Sequence, residues 1–225
     1  MTEHVLALAR TLPFHSIGGM QSIAWDLLRR FVQQGRRVSV LTTTTPGHTG
    51  PFTVDGVTVF PVPGTKPERC DKAWWKGSRL VAEQLIHSAP ASVVFSVSSA
   101  GAGLLPLRAA LPGVPFVFQA HGTSWGEVMS KWRTGQPVQI LKSLRNLYWL
   151  GKDLRLYRRF DALVLVGDVI EQQFRQPPLS WTSQRLRRVV IRNGVDTRVF
   201  RFLPNERARY RAQWGWSEGD PVFVF

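Results

Sequence analysis

Three groups of residues have the types and spacing to do chemistry. The first is Gly18-Gly19, which opens a helical pattern after a short apolar run. Glycine lets a backbone come close to a ligand, and a helix N-terminus offers free N–H groups to a phosphate. The pair matches neither G-x-G-x-x-G nor a P-loop, which disfavours dinucleotide binding of that kind. A plain strand-to-helix turn is the alternative. The second group is His121, which follows Phe116-Val117-Phe118 and precedes Gly122, with Trp125 and Glu127 just beyond. A histidine at a strand end can hydrogen-bond a ligand hydroxyl or phosphate, or it can cap a loop. Trp125 could stack on a ligand ring or join the core. Glu127 could accept a ligand hydrogen bond or sit solvated at a helix start.

The third group is a basic segment. Ser130–Phe160 carries Lys131, Arg133, Lys142, Arg145, Lys152, Arg155, Arg158 and Arg159 against a single acid, Asp153. Trp132, Tyr148 and Trp149 are interleaved, and Ile140, Leu144, Leu147 and Leu154 make an apolar stripe. A basic amphipathic surface with interfacial aromatics suits peripheral binding to anionic lipid, with Lys142, Arg145, Trp149, Lys152, Arg155 and Arg159 as the contacts. The alternative is an ordinary helix packed by its leucines with a solvated basic face. Basic residues with aromatics also suit nucleic acid, but no nucleic-acid motif and no lysine-rich tail is present. His4, His15, His48, His87 and His121 lack metal-ligand spacing and Cys70 is alone, so no metal site is expected.

Positioning these residues requires a scaffold, and its elements are readable. His4–Ala9, Val38–Leu41, Val93–Val97, Phe116–Ala120, Ala162–Val166 and Val189–Ile191 read as strands. Ile23, Leu27, Leu28 and Phe31 recur at helical spacing, and Gly35 stands where a C-terminal cap belongs. Asp55-Gly56 between two alternating runs predicts a tight hairpin. Helices are predicted over 73–87, 104–111, 138–159 and 168–175, and a basic helix-like stretch follows Phe200. Gln176–Gln184, with Pro177-Pro178, reads as a loop, and Val222-Phe223-Val224-Phe225 as the start of a further buried strand. Strands alternating with helices predict an α/β fold with a doubly wound, mostly parallel sheet, and ligands in such sheets bind at the carboxyl ends of the strands. That rule brings Pro13–Gly19, Ser96–Gly103 and His121–Gly126 to one rim.

Composition sets the bounds. The 225 residues are 44% hydrophobic, with 13 Phe and 9 Trp, enough for a sizeable core and against disorder. A lone cysteine excludes an internal disulfide and suits a reducing compartment. No run approaches the roughly 20 apolar residues of a membrane span, and Val5–Ala9 is too short for a signal-peptide core. The net charge of +14 fits nucleic acid, an anionic membrane surface or phosphorylated small molecules, or simply solubility.

Four segments, in order along nearly the whole chain, resemble the N-terminal lobe of a family 4 glycosyltransferase of the GT-B fold. They are Ile17-Gly18-Gly19-Met20 with the helix ending Gln34-Gly35-Arg36-Arg37-Val38, Phe118-Gln119-Ala120-His121-Gly122-Thr123, Asp161-Ala162-Leu163-Val164-Leu165-Val166, and Val190-Ile191-Arg192-Asn193-Gly194-Val195-Asp196 with Phe200. The last is the most specific. Gly167 stands where a serine is common in the family. The resemblance implies a Rossmann-like acceptor lobe over 1–200, then a linker and the first strand of a donor lobe over 201–225. It implies transfer of a sugar from a nucleotide-sugar donor to a glycan or lipid-linked acceptor, usually with retention, without a metal or other cofactor. Gly18 and Gly19 would face the donor diphosphate, His121 would act at the reacting centre, and Trp125 and Glu127 would bind the acceptor. The family's paired glutamates, eight positions apart, belong to the donor lobe, and no two glutamates here have that spacing. Residues 1–225 alone are therefore expected to transfer little. The expected setting is the cytoplasmic face of a membrane, in cell-surface polysaccharide or lipopolysaccharide synthesis. The rivals are a non-catalytic basic module for nucleic acid or another polyanion, and a nucleotide-sugar epimerase or other Rossmann enzyme, which the missing glycine fingerprint disfavours.

Overall fold

The computed structural model describes residues 3–69, 71–183 and 186–223. Cys70, and Val224 and Phe225 of the anticipated last strand, lie outside them. The chain divides into two compact units, Met1–Asn193 and Gly194–Phe225.

The first unit is built on one eight-stranded sheet. Its strands are β1 (His4–Leu8), β2 (Arg37–Thr43), β3 (Phe52–Val54), β4 (Val57–Val62), β5 (Val93–Val97), β6 (Phe116–Ala120), β7 (Ala162–Leu165) and β8 (Arg187–Val190). They lie side by side as β3-β4-β2-β1-β5-β6-β7-β8. Every pairing is parallel except β3 on β4. A central parallel strand is buried on both faces and so is largely apolar, as β1 is from Val5 to Leu8. The chain leaves β1 for β2 on one side and later returns to lay β5 on the other. The strand order thus reverses at β1/β5, which is where such sheets open a crevice at their carboxyl edge.

Side chains alternate across the pleat into two cores. On one face Val5, Ala7, Val40, Val59 and Phe95 meet Ala24, Trp25 and Leu28 of α1 (Gly19–Gln33). On the other, Leu6, Leu8, Phe116, Phe118, Leu163 and Leu165 meet α2 (Lys72–Ser88), a 3-10 segment (Ser98–Ala110), α4 (Pro137–Tyr157) and α5 (Asp168–Arg175). Between β6 and α4 runs α3 (Ser124–Arg133), and α6 (Ser180–Ser183) follows α5. Local chemistry sets the boundaries. Asp71 caps α2 by accepting from the Trp74 amide at 3.1 Å. Asp55 and Gly56 both take positive φ, 52° and 78°, as a tight hairpin turn requires. His4 ties β1 to its surroundings, with Nε2 2.9 Å from Ser39 Oγ and Nδ1 3.1 Å from the Ala89 carbonyl.

Several elements depart from the sequence reading. The helix expected over 104–111 is a longer 3-10 segment, because Pro106 lies inside it and Gly103 packs against the next layer. A Cβ on Gly103 would fall 2.6 Å from the Trp75 carbonyl oxygen. The last strand runs over Arg187–Val190 rather than 189–191, and the expected loop at 176–184 contains the single turn of α6. The helix start that was one of two readings of Glu127 is the first turn of α3, whose extent the sequence reading did not give.

In the second unit α7 (Pro204–Trp214) ends at Gly215, in the left-handed region at φ 68°. Arg211 is buried and donates to the carbonyls of Ser217 and Asp220. Trp214 stacks on Trp216 with centroids 6.0 Å apart. Val222 and Phe223, expected in a strand, are irregular. The Asp196 carboxylate accepts from the Arg198 amide at 2.9 Å and from its guanidinium at 2.9 and 3.1 Å, which holds its pKa at about 2.

Candidate active site at the carboxyl edge of the sheet

The segment after β1 is clamped from two sides. The Leu12 amide donates to His15 Nδ1 at 3.1 Å, and His15 Nε2 lies 3.3 Å from both the Thr43 carbonyl and Thr45 Oγ1 at the end of β2. From the loop after β4, the Glu68 carbonyl accepts from the Arg10 guanidinium at 2.9 Å, and its amide donates to Thr11 Oγ1 at 3.0 Å. Ser16 Oγ reaches the Glu68 carboxylate at 3.4 Å. Glu68 itself sits at φ 64°. This bracing delivers Gly18-Gly19 to the start of α1. No side chain caps that helix and no acid lies in its first turn, so its N–H groups are open to an anion. Gly18 is extended, and a Cβ there would meet only the Gln21 amide, while a Cβ on Gly19 would meet nothing within 4 Å. The fold itself does not demand glycine at either position.

The next strand end is β5. Ser98 follows it at φ 53°, a conformation that strains serine. It is held by Ser96, whose hydroxyl donates to the Ser98 carbonyl at 2.5 Å and accepts from the Gly101 amide at 2.7 Å. This strained residue stands at the topological switch.

The third strand end is β6. It pairs with β5 as β5 pairs with β1, so the ends of β1 and β6 are two strand spacings apart, about 10 Å. His121 follows β6, and its Nε2 is buried with no partner among the described residues. Burial pushes its pKa down, which keeps the imidazole neutral near pH 7. Gln119, two residues earlier, is 4% exposed, and its Oε1 is likewise unpartnered. The turn is fixed from outside. Thr123 Oγ1 accepts from the Gly126 amide at 2.8 Å, capping α3, and donates to Gln173 Oε1 on α5 at 2.6 Å. Ser124 Oγ donates to the Asp153 carboxylate on α4 at 2.6 Å. Desolvation raises the Asp153 pKa, partly offset by hydrogen bonds from Ser124 and Tyr157.

Gly18, Gly19 and His121 are therefore brought to one edge. Glu127 is exposed in the first turn of α3. Trp125 is half-buried against the larger core and edge-on to Trp132 at 6.3 Å. Lys142, Arg145, Lys152 and Arg155 on α4 and Arg159 just past its end are exposed, and Trp149 is 37% exposed. The stripe expected to pack this helix is split: Leu147 and Leu154 touch the core, but Leu144 is 58% exposed, beside Val138, Leu141 and Tyr148 at about 65%. Lys152 Nζ sits 4.6 Å from the Tyr148 ring and 4.5 Å from the Trp149 ring. The lone acid of the segment, Asp153, is the residue turned inward. Sequence reasoning missed Gln119, Ser98, Glu68 and the role of Asp153. Two carried a signal: Gln119 is the polar member of an otherwise apolar strand, and Asp153 the one acid among eight basic residues.

Among the described residues no three His, Cys, Asp or Glu side chains gather to hold a metal, and no helix is long and apolar enough to cross a membrane.

The family model for the glycosyl transferase 4-like domain matches residues 18–194, and the chain belongs to that family. Solved structures share the fold at low identity. Sucrose-phosphate synthase from Thermosynechococcus elongatus superposes with TM-score 0.67 at 12% identity, covering 97% of this chain and 54% of that one. Anabaena HepE, solved in complex with UDP and glucose, gives TM-score 0.58 at 16% identity over 95% of this chain and 50% of its own. A glycosyltransferase from Rickettsia africae gives TM-score 0.59 at 13% identity over 98% and 51%. The chain thus spans about half the length of these structures. No curated protein matches it at a significant level.

Proposed function

We propose that this chain is the acceptor-binding half of a glycosyltransferase that moves a sugar from a nucleotide-sugar donor to a glycan or lipid-linked acceptor. The observation that carries the reading is the meeting, at one sheet edge, of an uncapped helix N-terminus at Gly18-Gly19 and a neutral histidine, His121, with an unpaired nitrogen. The helix end stabilises the charge that builds on the departing diphosphate. His121 hydrogen-bonds the reacting hydroxyl or the donor sugar. With retention, the acceptor oxygen bonds the anomeric carbon on the face from which the phosphate oxygen departs, and its proton passes to that oxygen. Family membership supports the reaction class, and Anabaena HepE, which shares the fold, was solved in complex with UDP and glucose. No resident metal is invoked.

The acceptor is assigned to an anionic membrane surface, in cell-surface glycan synthesis. The support is α4, whose exposed face joins Lys142, Arg145, Lys152 and Arg155 to Leu141, Leu144 and Tyr148, with Arg159 just beyond its end, and whose inner face reaches the His121 turn through Asp153 and Ser124. Trp125 and Glu127 are proposed to line the acceptor side, Trp125 through its exposed edge.

The test incubates the full-length protein with a panel of nucleotide sugars and bacterial membrane lipid. Mass spectrometry should find a glycosylated product, and NMR should give it the donor's anomeric configuration. Absence of transfer from every donor would overturn the reaction, and an inverted product would overturn the same-face route.

A further inference from the structure

Gln119 is out of place for a core residue. Register puts it in a row with Val97 on β5, Val164 on β7 and, one strand further, Val189 on β8. Alternation with Val117, which packs on the α1-side core, turns it toward the face that carries α1, and His121 follows at the same parity. A buried amide oxygen without a donor lowers stability, so a fold alone would favour an apolar side chain here. A second unpaired polar atom, His121 Nε2, lies two positions along the same strand end.

The chemistry of the pair is selective. A glutamine carbonyl oxygen accepts hydrogen bonds and faces an anion unfavourably, so a phosphate does not satisfy it. A hydroxyl does. We infer that Gln119 is a specificity-determining residue that accepts a hydrogen bond from a hydroxyl of the substrate seated at the end of β6, beside His121. The rim then has two ends, an anion-binding end at the α1 N-terminus and a hydroxyl-reading end at β6. This inference rests on the proposed glycosyl transfer and assigns a contact within it.

The experiment uses Gln119→Met, which keeps length and volume and removes the orphan oxygen, in the full-length protein. Melting is the first readout. A melting temperature equal to or above wild type is expected, and a lower one would show that Gln119 serves the fold and overturn the inference. Kinetics are the second, with UDP-glucose as donor and octyl glucoside and its monodeoxy analogues as acceptors. The acceptor KM should rise about ten- to a hundredfold with the donor KM unchanged, and for one deoxy analogue wild type and variant should become equal. Loss of the same size with every analogue, or an unchanged acceptor KM in an active enzyme, would overturn the assignment while leaving the proposed function standing. If wild type transfers nothing from any donor of the nucleotide-sugar panel, the proposed function fails, and melting alone decides whether Gln119 is held for a ligand.

Discussion

Gly19→Ala sets stability against function at a single atom. The added Cβ has nothing within 4 Å, so no packing is lost. Gly19 is the first residue of α1, and replacing a helical glycine by alanine gains about 0.5–1 kcal/mol. For a domain of this size that raises the melting temperature by roughly 1–4 °C. The same methyl would stand where a diphosphate must approach the uncapped N–H groups. A hydrogen bond to a charged group is worth about 1.5–3 kcal/mol. Losing one raises the donor KM by roughly ten- to a hundred-and-fifty-fold. The assay is thermal melting of both proteins alongside donor titration at saturating acceptor. A more stable variant with an unchanged donor KM would reduce Gly18-Gly19 to a plain turn and refute the phosphate assignment. A less stable variant would show that the glycine serves packing.

Three further outcomes are expected. His121→Ala should lower turnover about ten- to a hundredfold, the loss of a contact worth on the order of 1–3 kcal/mol, without loss of the fold, and unchanged kinetics with unchanged melting would reject its role. Asp153→Asn should change the pH dependence of stability. The folded pKa of Asp153 is raised, so its contribution favours the native state below the unfolded pKa near 3.8 and is lost as pH rises through the folded value. The variant should therefore gain on wild type between acid and neutral pH, and melting curves showing a constant difference would contradict this. The quadruple change of Arg145, Lys152, Arg155 and Arg159 to Gln should abolish most co-sedimentation with anionic vesicles, since each basic residue near such a surface is worth about 1 kcal/mol. Equal binding of variant and wild type, or of wild type to neutral and anionic vesicles, would mark the basic face as merely solvated.

Much of the fold was legible because the sheet is parallel and buried. Short runs rich in β-branched and aromatic residues, such as Val93–Val97 and Phe116–Ala120, read as strands of that kind, and the Asp55-Gly56 turn announces its conformation in two residues. The segment 98–110 was harder. Its backbone is set by Gly103 fitting against Trp75 on another element, a contact that local sequence does not encode. The short α3 was legible only as a helix start at Glu127: its cap, the Gly126 amide on Thr123 Oγ1, is local, but the Gln173 that also holds Thr123 lies fifty residues away. The site divided in the same way. Gly18, Gly19 and His121 follow from strand ends and motif order. Ser98 became visible only through its backbone angle, and Gln119, though polar in an apolar strand, stood out as a site residue through the absence of a partner. On α4 an apolar stripe was legible, but not which half of it would find a core to cover.

The most direct measurement is a crystal structure of the full-length protein with an intact nucleotide sugar and a hydroxyl-bearing acceptor. Diphosphate oxygens are expected within hydrogen-bond distance, about 2.7–3.2 Å, of the amides that open α1 at Gly18-Gly19. Acceptor or sugar hydroxyls are expected at His121 Nε2. A diphosphate bound elsewhere, with the start of α1 bare and the His121 nitrogen still unpaired, would contradict this reading.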